Sequence, residues 1–167
     1  MRLRFLVLLL SCSILFVQCG TSQNASEASS AKQADVKKLL DSRRYQFIPQ
    51  SVQTQSGRSR QITNFFMEVR QDTLISYLPY YGVAYSATMG ASEGPLDFKA
   101  SEITYTSEVG GNGNTQITIR PEDPRTDAQE FFLSISSSGY GNLSVRFNNR
   151  QSVSFYGEVR ELRKRRK

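Results

Sequence analysis

Histidine is absent from this sequence, tryptophan is absent too, and the only two cysteines, Cys12 and Cys19, fall within the first nineteen residues. Without histidine there is no Ser-His-Asp or Cys-His catalysis and no histidine-ligated metal site. Without cysteine beyond residue 19, the body of the chain has no thiolate chemistry, no disulfide and no cysteine-bound zinc or iron–sulfur cluster. No P-loop occurs, and no G-x-G-x-x-G opens a helix after a strand. Nothing in the sequence calls for a cofactor or a metal ion. Long apolar runs are also scarce: the one at residues 5–17, FLVLLLSCSILFV, is too short to span a bilayer comfortably.

That run has its own logic. It follows the positively charged MRLR, as in a secretory signal, and is followed by the small and polar QCGTSQNASEASSAKQA. A cysteine closing a signal resembles the lipobox of bacterial lipoproteins, whose cysteine thiol carries diacylglycerol. FVQC places Cys19 after a full-length apolar run, with Gln18 in place of the usual small residue. LLSC around Cys12 fits the local pattern but leaves only a short run before it. The reading favours Cys19 over Cys12, with an unmodified leader as the alternative. It divides the chain into a signal peptide (1–18), an anchor cysteine and flexible tether (19–34), one domain (35–160) and a basic tail (161–167). A membrane is thus the first expected partner, and the bacterial envelope the expected location.

The net positive charge is confined to the ends. Of 21 basic residues, Arg2 and Arg4 lie in the leader and five form the closing RKRRK, leaving 14 against 15 acidic residues in between. The high pI therefore describes two termini and no basic face. The tail suits a solvated end or contact with an anionic surface. Nucleic acid is not an expected partner of an exported protein.

The middle of the chain reads as strands. A short helix is expected in ADVKKLLDSRR, where Val36, Leu39 and Leu40 have helical spacing. From Tyr45 the apolar period is two, and Pro49 marks an edge or bulge. Met67 and Val69 share a face with Phe65, Ile103 with Tyr105, and Ile117 with Ile119. Phe131, Leu133 and Ile135 alternate with Phe132, Ser134 and Ser136; the sets Leu143, Val145, Phe147 and Val153, Phe155, Val159 behave alike. GGNGN (110–114), SSSGYGN (136–142) and NNRQ (148–151) supply turns. Connections this short leave no room for crossover helices. The expected fold is mainly β: an antiparallel meander closing into a barrel, a sandwich or a strongly curved sheet, with one short N-terminal helix.

Carboxylates are the remaining source of chemistry. RPEDPRTDAQE holds Glu122, Asp123, Asp127 and Glu130, which suits either an exposed, self-neutralised loop or a Ca²⁺ site of no familiar spacing. Lys99 is the one lysine embedded among strands. A carboxylate-dependent hydrolase acting on envelope glycan or peptide is the alternative to a non-enzymatic role; it needs two acids roughly 5–10 Å apart across a cleft.

The densest aromatic stretch is ISYLPYYGVAYS (75–86), with four tyrosines in twelve residues. Pro79 ends one strand, Gly82 frees the backbone, and Val83 to Tyr85 is the expected start of the next. Tyr80 and Tyr81 then sit at a corner, either packed or facing a ligand. Together with GPLDFKASEITYT (94–106) and NRQSVSFYGEV (149–159), this stretch resembles a domain-of-unknown-function family of short, secreted, mostly lipid-anchored bacterial proteins. Tyr77, Leu78, Pro79, Tyr80, Gly82, Ala84 and Tyr85 carry the first motif of that resemblance. Leu96 and Phe98 carry the second, and Asn149, Arg150, Gln151, Ser154, Phe155 and Gly157 the third. Tyr81 stands where the family shows phenylalanine and Val83 where it shows arginine. The resemblance implies an envelope location without implying an activity. For a module binding a protein or small molecule, the candidate lining is Tyr77, Tyr80, Tyr81, Tyr85 and Phe98, since a tyrosine offers both an apolar face and a hydroxyl.

Overall fold

A computed structural model describes residues 23–54, 57–83, 94–111, 113–124 and 126–162. The chain divides into two compact units, Met1–Ala31 and Lys32–Lys167; the described part of the first is the opening of a helix. That helix, α1, runs Gln23–Asp41. It is longer than the segment expected from Val36, Leu39 and Leu40, and it takes up residues 23–34 of the expected flexible tether. The reason is local. No proline or glycine interrupts residues 21–41, and Ala25, Ala28, Ala31 and Ala34 recur every three positions. Alanine is the strongest helix former, yet too small to register as an apolar stripe. Leu40 is buried, Val36 and Leu39 pack against the core, and the chain leaves the helix through Arg43 at positive φ.

Ten strands follow: β1 (Arg44–Gln53), β2 (Ser59–Gln61), β3 (Phe66–Arg70), β4 (Thr73–Tyr77), β5 (Asp97–Ala100), β6 (Ile103–Val109), β7 (Thr115–Pro121), β8 (Ala128–Ile135), β9 (Tyr140–Phe147) and β10 (Val153–Glu161). They form one sheet in the order β5-β4-β3-β1-β10-β9-β8-β7-β6, with β2 added beside β1. Neighbours along this order are antiparallel throughout. First and last strands meet, β10 on β1, so the meander bends round into a nearly closed barrel. Alternation over nine strands makes the two ends of the sheet, β5 and β6, run in the same direction. Only Ser101 and Glu102 separate them. They are two halves of one bent strand, the first pairing with β4 and the second with β7.

Barrel closure depends on two local irregularities. The β1·β10 register shifts between Pro49 and Ser51, the bulge that Pro49 announces. Opposite it lies Gly157, where any Cβ would run into the Ile48 carbonyl. A larger residue would force the strands apart at their tightest point.

The inward positions follow the period of two. Met67 and Val69, Ile117 and Ile119, Phe131, Leu133 and Ile135, Leu143, Val145 and Phe147, and Val153, Phe155 and Val159 are all buried. Tyr45, Phe47, Phe131 and Phe155 contribute the largest fully buried rings. A barrel of about eight strands is just wide enough for such side chains to fill. Polar groups inside are tied down: Ser76 donates from Oγ to the Leu96 carbonyl at 2.7 Å. The Tyr45 and Tyr105 hydroxyls lie 3.4 Å apart. Burial raises the pKa of both phenols, and Tyr105 beside it raises that of Tyr45 further.

Candidate functional site

The tyrosine-rich segment leaves β4 at Tyr77, and its rings part company at once. Tyr77 is 42 % exposed on the outer surface, its ring 5.4 Å from that of Phe65 and 5.7 Å from that of Phe66. Leu78 is buried, and its N–H donates to the Leu96 carbonyl at 3.2 Å, extending the β4·β5 pairing past the strand. Pro79, with no N–H to donate, lets the chain turn away.

Tyr80 then folds back against the core. Its ring meets Phe147 edge-on at 5.2 Å, and the Arg150 guanidinium lies 5.7 Å from the ring centre. Its hydroxyl stands 3.1 Å from the carbonyl of Gln151 and 3.1 Å from that of Val83, and its single proton is shared between them. Gln151 N–H donates to the Val83 carbonyl at 3.2 Å, while Val83 N–H donates to the Gln151 Oε1 at 3.4 Å. Gly82 is required by this arrangement, since a Cβ there would fall on the Tyr80 hydroxyl and ring. Arg150 is in turn held by Asp127, Nε to Oδ2 at 2.9 Å, and Asn148 and Asn149 N–H groups donate to the same aspartate. The first and third motif segments thus interlock as a latch at one end of the barrel. Val83 is engaged there as a bridge to Gln151; the rest of the strand start expected from Val83 to Tyr85 lies outside the described residues.

Tyr81 points the other way. It is 42 % exposed, with the Arg60 guanidinium 5.5 Å from its ring centre. Phe98 is half-buried, its ring 6.0 Å from Phe131. Tyr85, Cys12, Cys19 and the tail residues 163–167 lie outside the described residues.

Of the five candidate rings, Tyr77 and Phe98 border one groove but from opposite faces of the sheet: Phe98 pairs with buried Ser76 and turns its ring toward Phe131, while Tyr77 faces out. This outer groove of about 480 Å³ is also lined by Phe66, Ile75, Ser76, Asp97 and Lys99. Tyr77 faces Phe66 on one side and Asp97 on the other across the strand ladder, and Ile75 faces Lys99. The floor is carbon; the rim carries one carboxylate, one ammonium and one phenol. Phe66 was missed in the sequence because Phe65, Met67 and Val69 define the inward face. Its position opposite that set was the available signal. A second outer aromatic pair also escaped notice: Tyr140 and Tyr156 lie near-parallel, ring centres 6.2 Å apart, with Lys32 Nζ 5.7 Å from the Tyr140 ring centre.

The acidic segment behaves as a neutralised loop. Glu130 accepts from Arg120 at 2.7 Å and pairs with Arg146 at 3.0 Å; Glu122 accepts from the Thr104 hydroxyl at 2.7 Å. Among the described residues, no three acidic groups converge as metal ligands. Among the same residues no helix is long and apolar enough to cross a membrane.

The fold and the latch define a small antiparallel β-barrel domain whose tyrosine-rich corner is locked to the β9–β10 turn. The chain belongs to the DUF4251 family, a domain of unknown function, whose model matches residues 27–159. A crystal structure of a DUF4251 family protein from Bacteroides eggerthii DSM 20697 is similar in fold, with a TM-score of 0.59 at 14 % identity, over 81 % of this chain and 91 % of that one. No curated protein matches the chain.

Proposed function

We propose that this protein is an exported, lipid-anchored, non-enzymatic module of the bacterial envelope that binds a ligand with an apolar face in the Phe66–Tyr77 groove. One observation carries the binding reading. Phe66, Ile75 and Tyr77 form an apolar floor open at the surface, with Asp97 and Lys99 at its rim. Such a mixture suits stacking of a ring or chain together with a few directional polar contacts. Tyr80 belongs to the fold in this reading, and Tyr81 to the surface beside Arg60. Support for the anchor comes from the sequence: the basic and apolar leader ending at Cys19. Several acyl chains on that residue, at about 0.8 kcal/mol per buried methylene, would hold the domain on the membrane. The closing RKRRK would add contacts to an anionic surface.

The test is a thermal-shift screen of glycans, fatty acids and peptides, followed by titration of the hits. Tyr77→Ala and Phe66→Ala should weaken a genuine hit about ten-fold, equivalent to roughly 1.4 kcal/mol, with melting temperatures near that of the parent. Hits indifferent to both substitutions would remove the groove from consideration, as would an empty screen.

A further inference from the structure

We infer that β6 is a self-association edge, on which a second copy of this chain adds its own β6 antiparallel, centred on Thr106. The inference starts from the ladder. Gly110 N–H donates to the Asn114 carbonyl and Glu122 N–H to the Glu102 carbonyl, which fixes the pairs exchanging hydrogen bonds. Such pairs alternate along an antiparallel ladder, so Thr104, Thr106 and Glu108 direct their backbone groups to β7. Ile103, Tyr105, Ser107 and Val109 direct theirs outward. β6 ends the sheet order, and among the described residues no backbone hydrogen bond reaches that outer edge. A groove of about 380 Å³ separates α1 from the Ser107–Val109 end.

A free row of N–H and C=O groups at a period of two takes an extended main chain. Four features point to a second copy. The edge is seven residues long and unguarded: ITYTSEV has no proline, no lysine and one charge. Val109, at 72 % the most exposed large apolar side chain among the described residues, would lie beside Ile103 of the second copy. In the same register Tyr105 meets Ser107, Thr104 meets Glu108, and Thr106 meets Thr106. The two Glu108 carboxylates are therefore kept apart, and apolar, hydroxyl and aromatic residues meet suitable neighbours.

Sedimentation equilibrium of the full-length chain in detergent, up to about 1 mM, should show a monomer–dimer equilibrium. Ser107→Pro should weaken it ten-fold or more, because the Ser107 N–H serves only the outer edge and the β6·β7 ladder survives its loss. If that variant melts well below the parent, Val109→Lys carries the same test. Register is read separately, with Cys12 and Cys19 replaced by serine. Thr106→Cys should cross-link on oxidation, since facing residues of this kind lie about 4.5 Å apart; Thr104→Cys should not. A monomer at every concentration overturns the inference, and so does a dimer that Ser107→Pro and Val109→Lys leave intact or a cross-link at 104 in place of 106.

Discussion

Tyr80 and Tyr81 are neighbours of identical chemistry with opposite assigned roles, and replacing each in turn separates them. Tyr80→Phe removes the hydroxyl whose proton the Gln151 and Val83 carbonyls share. Val83 keeps the Gln151 N–H as donor, so one carbonyl loses a partner, at a cost of about 1 kcal/mol. Tyr80→Ala also removes the ring against Phe147. Full burial would make that about 3–5 kcal/mol; for a partly buried ring about 2–3 kcal/mol is expected. Tyr81→Ala loses an exposed ring and its contact with Arg60, within about 0.5 kcal/mol. For roughly 130 ordered residues the unfolding entropy is near 0.27 kcal/mol/K, so 1 kcal/mol moves Tm by about 4 °C. Differential scanning calorimetry should thus show falls of about 4 °C for Tyr80→Phe, about 8–11 °C for Tyr80→Ala and under about 2 °C for Tyr81→Ala. Equal losses at the two tyrosines would refute the reasoning, as would a Tyr80→Ala protein that melts with the parent.

Three other outcomes follow from the same structure. Asp127→Asn leaves the Arg150 guanidinium without its carboxylate in a mostly buried setting, and urea denaturation should show a loss of about 1–3 kcal/mol; a neutral result would mean that the latch does not depend on this pair. Tyr45 has a raised folded-state pKa through burial and the nearby Tyr105, so its contribution is complete below the unfolded value near 10 and is lost as pH rises beyond it, by at most about 1.4 kcal/mol per pH unit. Tyr45→Phe should flatten the fall of stability between about pH 10 and 11.5 by up to one proton's slope, and an unchanged slope would contradict the assignment. Labelling with a radioactive fatty acid should mark the parent and Cys12→Ser but not Cys19→Ser; label retained in Cys19→Ser would move the anchor.

Much of the barrel was written in the period-two alternation. Phe131, Leu133 and Ile135 announce an inward face, and Phe132 at 40 % exposure confirms which side is outer. Pro49 marked its bulge, and GGNGN its hairpin. Which of barrel, sandwich or curved sheet the meander closes into was not legible. The β10·β1 ladder joins residues more than a hundred positions apart, as Tyr45 with Glu161, and alternation alone suits a sandwich equally well. The start of α1 was hidden because alanines drive a helix without drawing an apolar stripe. The corner was half legible. Pro79 and Gly82 signalled a break, but the partner of Tyr80 lies 71 residues away at Gln151. Tyr77 and Tyr81 are equally exposed, at 42 % each; what distinguishes Tyr77 is its neighbour Phe66 on β3, a contact set by strand register. Function was the least legible, since the groove is made of ordinary apolar residues on an outer face.

The central claim is that the tyrosine-rich segment divides its labour, with Tyr80 holding the fold and Tyr77 facing a ligand. NMR of the protein with labelled tyrosine and phenylalanine rings, titrated with the best hit of the ligand screen, tests it most directly. Resonances of Tyr77 and Phe66 should shift in step with ligand concentration while those of Tyr80 and Phe147 stay in place. Movement of Tyr80 with a silent Tyr77 would contradict the account.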